Sequence, residues 1–140
     1  MDSLSRITQR VNLHGDPNDP TNPRALLTLA EFFEGNTAVG SICCNLIPTP
    51  MPDEVYKALR AILARPDVAD VRVQITSFDD IRWPFSDTVW VITMSRPDEV
   101  MGWFPEGLRP DQCTLGWTEG LVFERCRVPV GMHPVACWWD

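Results

Sequence analysis

Soft metal donors gather late in this 140-residue chain, where Cys113, Cys126, His133 and Cys137 fall within one stretch. Thiolate and imidazole are the ligands that zinc takes in a tetrahedral site. No CxxC or HxxxH pair supplies the close chelating spacing that makes such a signal strong. Cys137 also sits in an alternating run, so the simpler reading is buried thiols acting as small hydrophobes, with zinc the weaker alternative. No metal and no cofactor is expected. Cys43 and Cys44 are adjacent; in an extended segment they leave on opposite faces, so at least one is buried and inert. A catalytic thiol needs an imidazole beside it, and the chain holds only His14 and His133.

Carboxylates come in pairs at Glu31/Glu34, Asp53/Glu54, Asp79/Asp80 and Asp98/Glu99. Two carboxyls in unlike environments are what general acid–base catalysis requires. Three of the pairs have structural work. Asp53/Glu54 and Asp98/Glu99 follow prolines at expected helix starts, where they offset the positive end of the dipole. Glu31 completes a capping box with Thr28. Asp79/Asp80 lacks such a task and precedes Trp83-Pro84-Phe85 in a turn-rich stretch, which marks a candidate binding loop. The sequence contains no GxGxxG or GxxxxGK[ST] phosphate loop, no GxSxG elbow, no HExxH and no HxE with a following PCxxC. No catalytic residue is assigned.

Tryptophan is the most informative residue type. Trp83, Trp90, Trp103, Trp117, Trp138 and Trp139 each carry a large ring and an N–H that needs a partner. A core of this size does not readily hold all six. Trp138 and Trp139 are consecutive in a strand-like run, so one of them faces away from any helical layer. Aromatics left on an open sheet face or a loop are typical interface anchors. The candidate binding residues are therefore Asp79, Asp80, Trp83, Phe85, Trp117 and Trp138. The competing reading is that residues 108–132 fold over the open face and hide the rings.

The elements that must position these residues follow from periodicity and punctuation. Residues 1–22 are polar and rich in turn formers, with a short strand expected over Arg6–Leu13. Leu26, Leu29, Ala30 and Phe33 recur at helical spacing over Pro23–Glu34, although the Thr28/Glu31 box would start that helix only at Leu29. Val39–Ile47 reads as a strand with Ile42, Cys44 and Leu46 on one face. Pro52 opens the clearest helix, whose Val55, Ala58, Leu59, Ile62 and Leu63 form one apolar stripe up to Pro66. Ala69–Thr76 alternates as a half-wet strand, whereas Thr88–Met94 is apolar on both faces. A short helix begins at Pro97. Residues 108–132 form an insert, with a hairpin expected between Cys113–Trp117 and Leu121–Val128. Val135–Trp139 is the last strand.

This order predicts a single α+β domain over 1–140. The expected arrangement is ferredoxin-like βαββαβ: an antiparallel sheet, helices on one face, and a C-terminal insert before the last strand. The net charge is −7, and eleven of the twelve basic residues are scattered arginines, with Lys57 the only lysine. A negative field without a basic stripe disfavours nucleic acid. No segment approaches the roughly 20 apolar residues of a membrane span, and the start lacks a signal-peptide run, so a cytoplasmic protein is expected. The odd count of five cysteines suits that compartment. The runs Phe32–Asn36 and Pro84–Asp87 and the terminal Trp-Trp-Asp read as marks of a bacterial family to which no activity can be attached. The leading expectation is a non-catalytic protein-binding domain with another, basic protein as partner, such as an immunity-type antidote or a regulator. One alternative is an enzyme or small-molecule binder with a pocket between sheet and insert. The other is a structural subunit that dimerises through its sheet.

Overall fold

In the computed structural model, which describes residues 1–140, five strands, four α-helices and a single 3-10 turn (Glu106–Leu108) build a mixed α/β architecture. The first helix, α1 (Ser3–Val11), replaces the strand expected at Arg6–Leu13. Asp2 caps it by accepting the Ser5 amide at 2.7 Å, and Ile7 and Val11, one helical turn apart, are its buried pair. Strand β1 (Leu26–Leu27) comes next, then α2 (Leu29–Phe33), which starts where the Thr28/Glu31 capping box closes. Helix α3 (Pro52–Leu63) buries Val55, Leu59 and Ile62 from its predicted stripe. Strands β2 (Val68–Gln74) and β3 (Thr88–Thr93), helix α4 (Pro97–Trp103), β4 (Gln112–Leu115) and β5 (His133–Trp138) complete the order.

All neighbouring strands run antiparallel in the order β1-β2-β3-β5-β4. A ferredoxin-like sheet would insert residues 39–47 between β3 and β5. Those two strands instead pair directly, Val89 opposite Cys137 and Val91 opposite Val135. Residues 39–47 form turns, because Gly40 and Cys43 adopt left-handed φ values of 90° and 57°, which end an extended run. Asn36 holds this segment from within, accepting the Ala38 amide at 2.9 Å and donating to the Ser41 hydroxyl at 3.0 Å.

The two faces of the sheet are covered differently. One face, through Leu27, Val71, Val73, Val89, Val91, Val135 and Cys137, packs against residues of all four helices in a core cluster of 25 buried residues. The other carries a buried cluster of only three, Leu26, Trp90 and Ala136, covered by Phe123 and Cys126 from the insert. The insert is not a hairpin. Its first part is β4, which pairs with β5, and its later part turns back to β1. There the Arg24 amide donates to Val122 O at 2.7 Å, and the Glu124 amide donates to Arg24 O at 3.0 Å. Trp90 is fully buried beneath it, donating to Gln74 Oε1 at 2.8 Å, with Trp117 and Phe123 ring centroids at 4.6 and 5.4 Å. Burial of such a ring contributes at most about 5 kcal/mol. No helix is long and apolar enough to cross a membrane.

Candidate functional site

The loop between β2 and β3 is held at its base, its flank and its centre. At the base, Thr76 N donates to Phe85 O at 2.9 Å and Phe85 N donates to Ser77 O at 2.8 Å. On the flank, Asn18 from the N-terminal segment accepts the Phe78 amide at 2.7 Å and returns a hydrogen bond to Phe78 O at 3.2 Å. At the centre Trp83 plugs the core, 4% exposed, with its indole N–H on Phe32 O at 3.0 Å. The sequence predicts Trp83 as an exposed anchor for a partner. It instead anchors the loop itself, because its N–H finds a carbonyl at the end of α2 and the ring joins the helix-side core.

What the loop offers to solvent is its tip, Asp79-Asp80-Ile81-Arg82. Asp80 accepts the Arg82 amide at 2.8 Å and the Arg82 guanidinium at 2.7 Å, which forms a local turn. The Arg82 side chain and amide hold the Asp80 carboxyl down to about 2. Arg82 is thereby spent on Asp80, and no ion pair engages Asp79. Ile81, 86% exposed, stands beside these charges. A groove of about 270 Å³ runs between the tip and α1, lined by Leu4, Thr8, Phe78, Asp79, Asp80 and Ile81. A second hollow of about 260 Å³ lies on the other flank, where Val39, Ser41, Ser77, Asp79 and Phe85 meet. The serine hydroxyls there have no imidazole near them, so the arrangement can grip a side chain but offers no activated nucleophile.

The remaining candidates lie elsewhere. Trp117, 38% exposed, belongs to the aromatic cover of the insert face, and Trp138 lies half-buried at the end of β5, opposite Thr88 and Gln112. The four soft donors do not converge. Cys113 and Cys137 face the helices, whereas Cys126, part of the insert, packs on the opposite face. His133, at the far end of β5, is hydrogen-bonded to Ser95 O at 2.6 Å. No group of three or more His, Cys, Asp or Glu side chains comes together. Cys43 is buried, its thiol pushed up to about 12 by burial, while Cys44 beside it is exposed.

One set of polar residues escaped the sequence. Glu124, in the insert, is 10% exposed and accepts two guanidinium N–H groups of Arg10 at 2.9 Å, the Leu26 amide at 2.6 Å and His14 Nε2 at 2.8 Å. Arg10 Nε donates to Glu31 at 2.8 Å. Burial opposes ionisation of Glu124, but the hydrogen bonds from Arg10 and Leu26 outweigh it and hold the carboxyl below its ordinary value. With Arg72 and Arg125 these groups line a cleft of about 450 Å³ at the edge of the insert. This is where the alternative of a pocket between sheet and insert would place a ligand. The space beneath the insert is filled by Trp90, Trp117 and Phe123, and at its rim Arg10 and His14 are held on Glu124 while Arg72 pairs with Asp70. No spacing rule announces a contact between residues 10 and 124.

The chain matches the Uncharacterized protein YfbO family over residues 2–137. A relative from Escherichia coli (strain K12), Uncharacterized protein YfbO, is 51% identical over 140 residues, covering 100% of both chains. No solved structure matches the chain. The chain belongs to this bacterial family.

Proposed function

We propose that the chain is a non-catalytic binding domain that holds another protein at the 77–85 loop. Supporting this reading is the combination of a rigidly braced loop with Ile81 standing 86% exposed at its tip. An exposed aliphatic side chain on an ordered loop loses little conformational entropy on binding, which is how preorganised contacts gain affinity. Asp79 and the grooves on either side favour a partner segment with an apolar side chain next to a lysine or arginine. The overall charge of −7 would speed the encounter with such a cationic partner, in keeping with a regulator or antidote of a basic protein.

The test is site-specific photocrosslinking in cells, with the crosslinker placed in turn at Ile81 and at the still more exposed Val130. The expected result is one protein adduct made from position 81, lost in an Asp79→Lys variant and absent from position 130. Equal adducts from both positions, or none from 81, would refute the assignment. Ile81→Asp, at a side chain that stands outside the core, should leave the melting temperature unchanged while removing the adduct made from a neighbouring position such as Leu4.

A further inference from the structure

We propose that Cys113 and Cys137 are an oxidisable dithiol, which a hydroperoxide converts to a disulfide that closes a covalent ring around the insert. The two residues face each other across β4 and β5. Gly116 N donates to Pro134 O, so 116/134 is a hydrogen-bonded pair and, by alternation, 113/137 is a non-hydrogen-bonded one. In such pairs the Cα atoms lie about 4.5 Å apart, within the span that a disulfide bridges. Their sulfurs are already 3.7 Å apart.

The two thiols are unequal in the way a stepwise oxidation needs. Cys113 lies on β4, an edge strand, and is half-exposed, whereas Cys137 is fully buried. In the dithiol Cys113 donates to the Cys137 sulfur; once Cys113 ionises, Cys137 keeps its proton and donates in return. That contact lowers the Cys113 thiol, while burial, with Cys113 beside it, drives Cys137 well above its ordinary value. The Cys113 thiolate attacks the peroxide O–O bond, taking one oxygen as sulfenic acid and releasing an alcohol or water. The Cys137 sulfur then displaces hydroxide from Cys113, its proton leaving with that oxygen as water, and the S–S bond forms. Two thiols are oxidised and one peroxide is reduced. Cys126 lies on the other face, and the one thiol within hydrogen-bond reach of Cys113 is that of Cys137.

The ring closed by this bond spans residues 113–137 and so contains the whole segment that covers Trp90. Oxidation would add a covalent restraint to the segment that Glu124 already ties to Arg10.

The experiment treats the reduced full chain with hydrogen peroxide, then alkylates it and reads intact mass and peptide map over time. The expected product has lost two hydrogen atoms, carries a Cys113–Cys137 crosslink, and regains both thiols on addition of dithiothreitol. Cys137→Ala should stop at a Cys113 sulfenic acid that a cyclic 1,3-dione traps. Cys113→Ser, at the half-exposed position, should react about tenfold slower or less readily still. Circular dichroism melts of both variants separate lost chemistry from lost fold. In the unmodified chain, oxidation of Cys44 while Cys113 and Cys137 both remain alkylatable would overturn the proposal, as would Cys113 passing to sulfinic acid beside an intact Cys137 thiol.

Discussion

The two faces of the sheet are closed by different physics. On the helix face, apolar stripes from α1, α2, α3 and α4 meet a row of valines, and stability there is spread over many interchangeable contacts. On the insert face a chain with no regular structure covers Trp90, and it is fixed at few points: ring contacts from Trp117 and Phe123, backbone bonds to Arg24, and the Glu124 carboxylate on Arg10. A face covered by periodic elements should open only with the domain, whichever contact is lost. A face covered by irregular chain depends on a handful of polar fasteners, so it should open locally before the domain unfolds.

Matched deletions on the two faces test that contrast at its largest. Trp83→Ala on the helix side and Trp90→Ala beneath the insert should each cost about 3–5 kcal/mol. Denaturant melts followed by far-ultraviolet circular dichroism should show both. The Trp90 variant should in addition lose hydrogen-exchange protection selectively around 117–127. If both variants lose protection uniformly, the two faces form one cooperative unit and the contrast fails.

Glu124→Ala should come next, at about 2 kcal/mol, because it strands the partly exposed Arg10 guanidinium and the amide of buried Leu26. The expected signature is faster exchange in the insert with the β2–β3 ladder unchanged. Loss of protection in both would mean that the carboxylate holds the sheet and not only its cover.

Acid should reproduce a milder form of the same opening. The folded Glu124 carboxyl lies below its ordinary value of 4.5, so its contribution is fully present above that pH and is lost as pH falls through the depressed value. Tryptophan fluorescence followed downward from neutral pH should report exposure of the Trp90–Trp117 pair only once pH has fallen below the ordinary carboxyl value of 4.5. Glu124→Gln should remove this step. If that variant leaves the profile unchanged, other carboxylates are responsible, and Asp67, held down by Arg65 and Ser95, is the first to replace.

The smallest effect is expected from Trp117→Ala, about 1–2 kcal/mol, since that ring is only partly covered. A loss as large as that of Trp90→Ala would make Trp117 a structural equal of the ring it covers.

The difference between the faces also decides how far each could be read in advance. Helix α3 and strands β2 and β3 were legible because period 3.6 or 2 persisted between proline stops. The Thr28/Glu31 capping box likewise placed the start of α2. The expected strand at 39–47 failed because alternation of Ile42, Cys44 and Leu46 says nothing about the left-handed backbone at Gly40 and Cys43. At 6–13 the same apolar residues fit either period, and the Asp2 cap decided for the helix. The insert has no period, so its course, and the meeting of Glu124 with Arg10, follow only from tertiary contacts. For the candidate site, the Asp79–Phe85 stretch was legible as a loop with aromatics. Which residues it would bury and which present was not: Trp83 went inward because the Phe32 carbonyl was there to meet its N–H, and Ile81 was left at the tip.

The order of strands in the sheet has a consequence for biosynthesis. Strand β3 lies in the middle, and its second neighbour, β5, is translated long after it. While the nascent chain lengthens, Val89-Trp90-Val91-Ile92 is paired on one side only, and the insert that will cover Trp90 does not yet exist. That run is uncharged, β-branched and aromatic, the composition that associates with like segments on neighbouring chains. Ribosome-associated chaperones therefore have a specific stretch to shield, and slow translation downstream of β3 would lengthen the time it stands open.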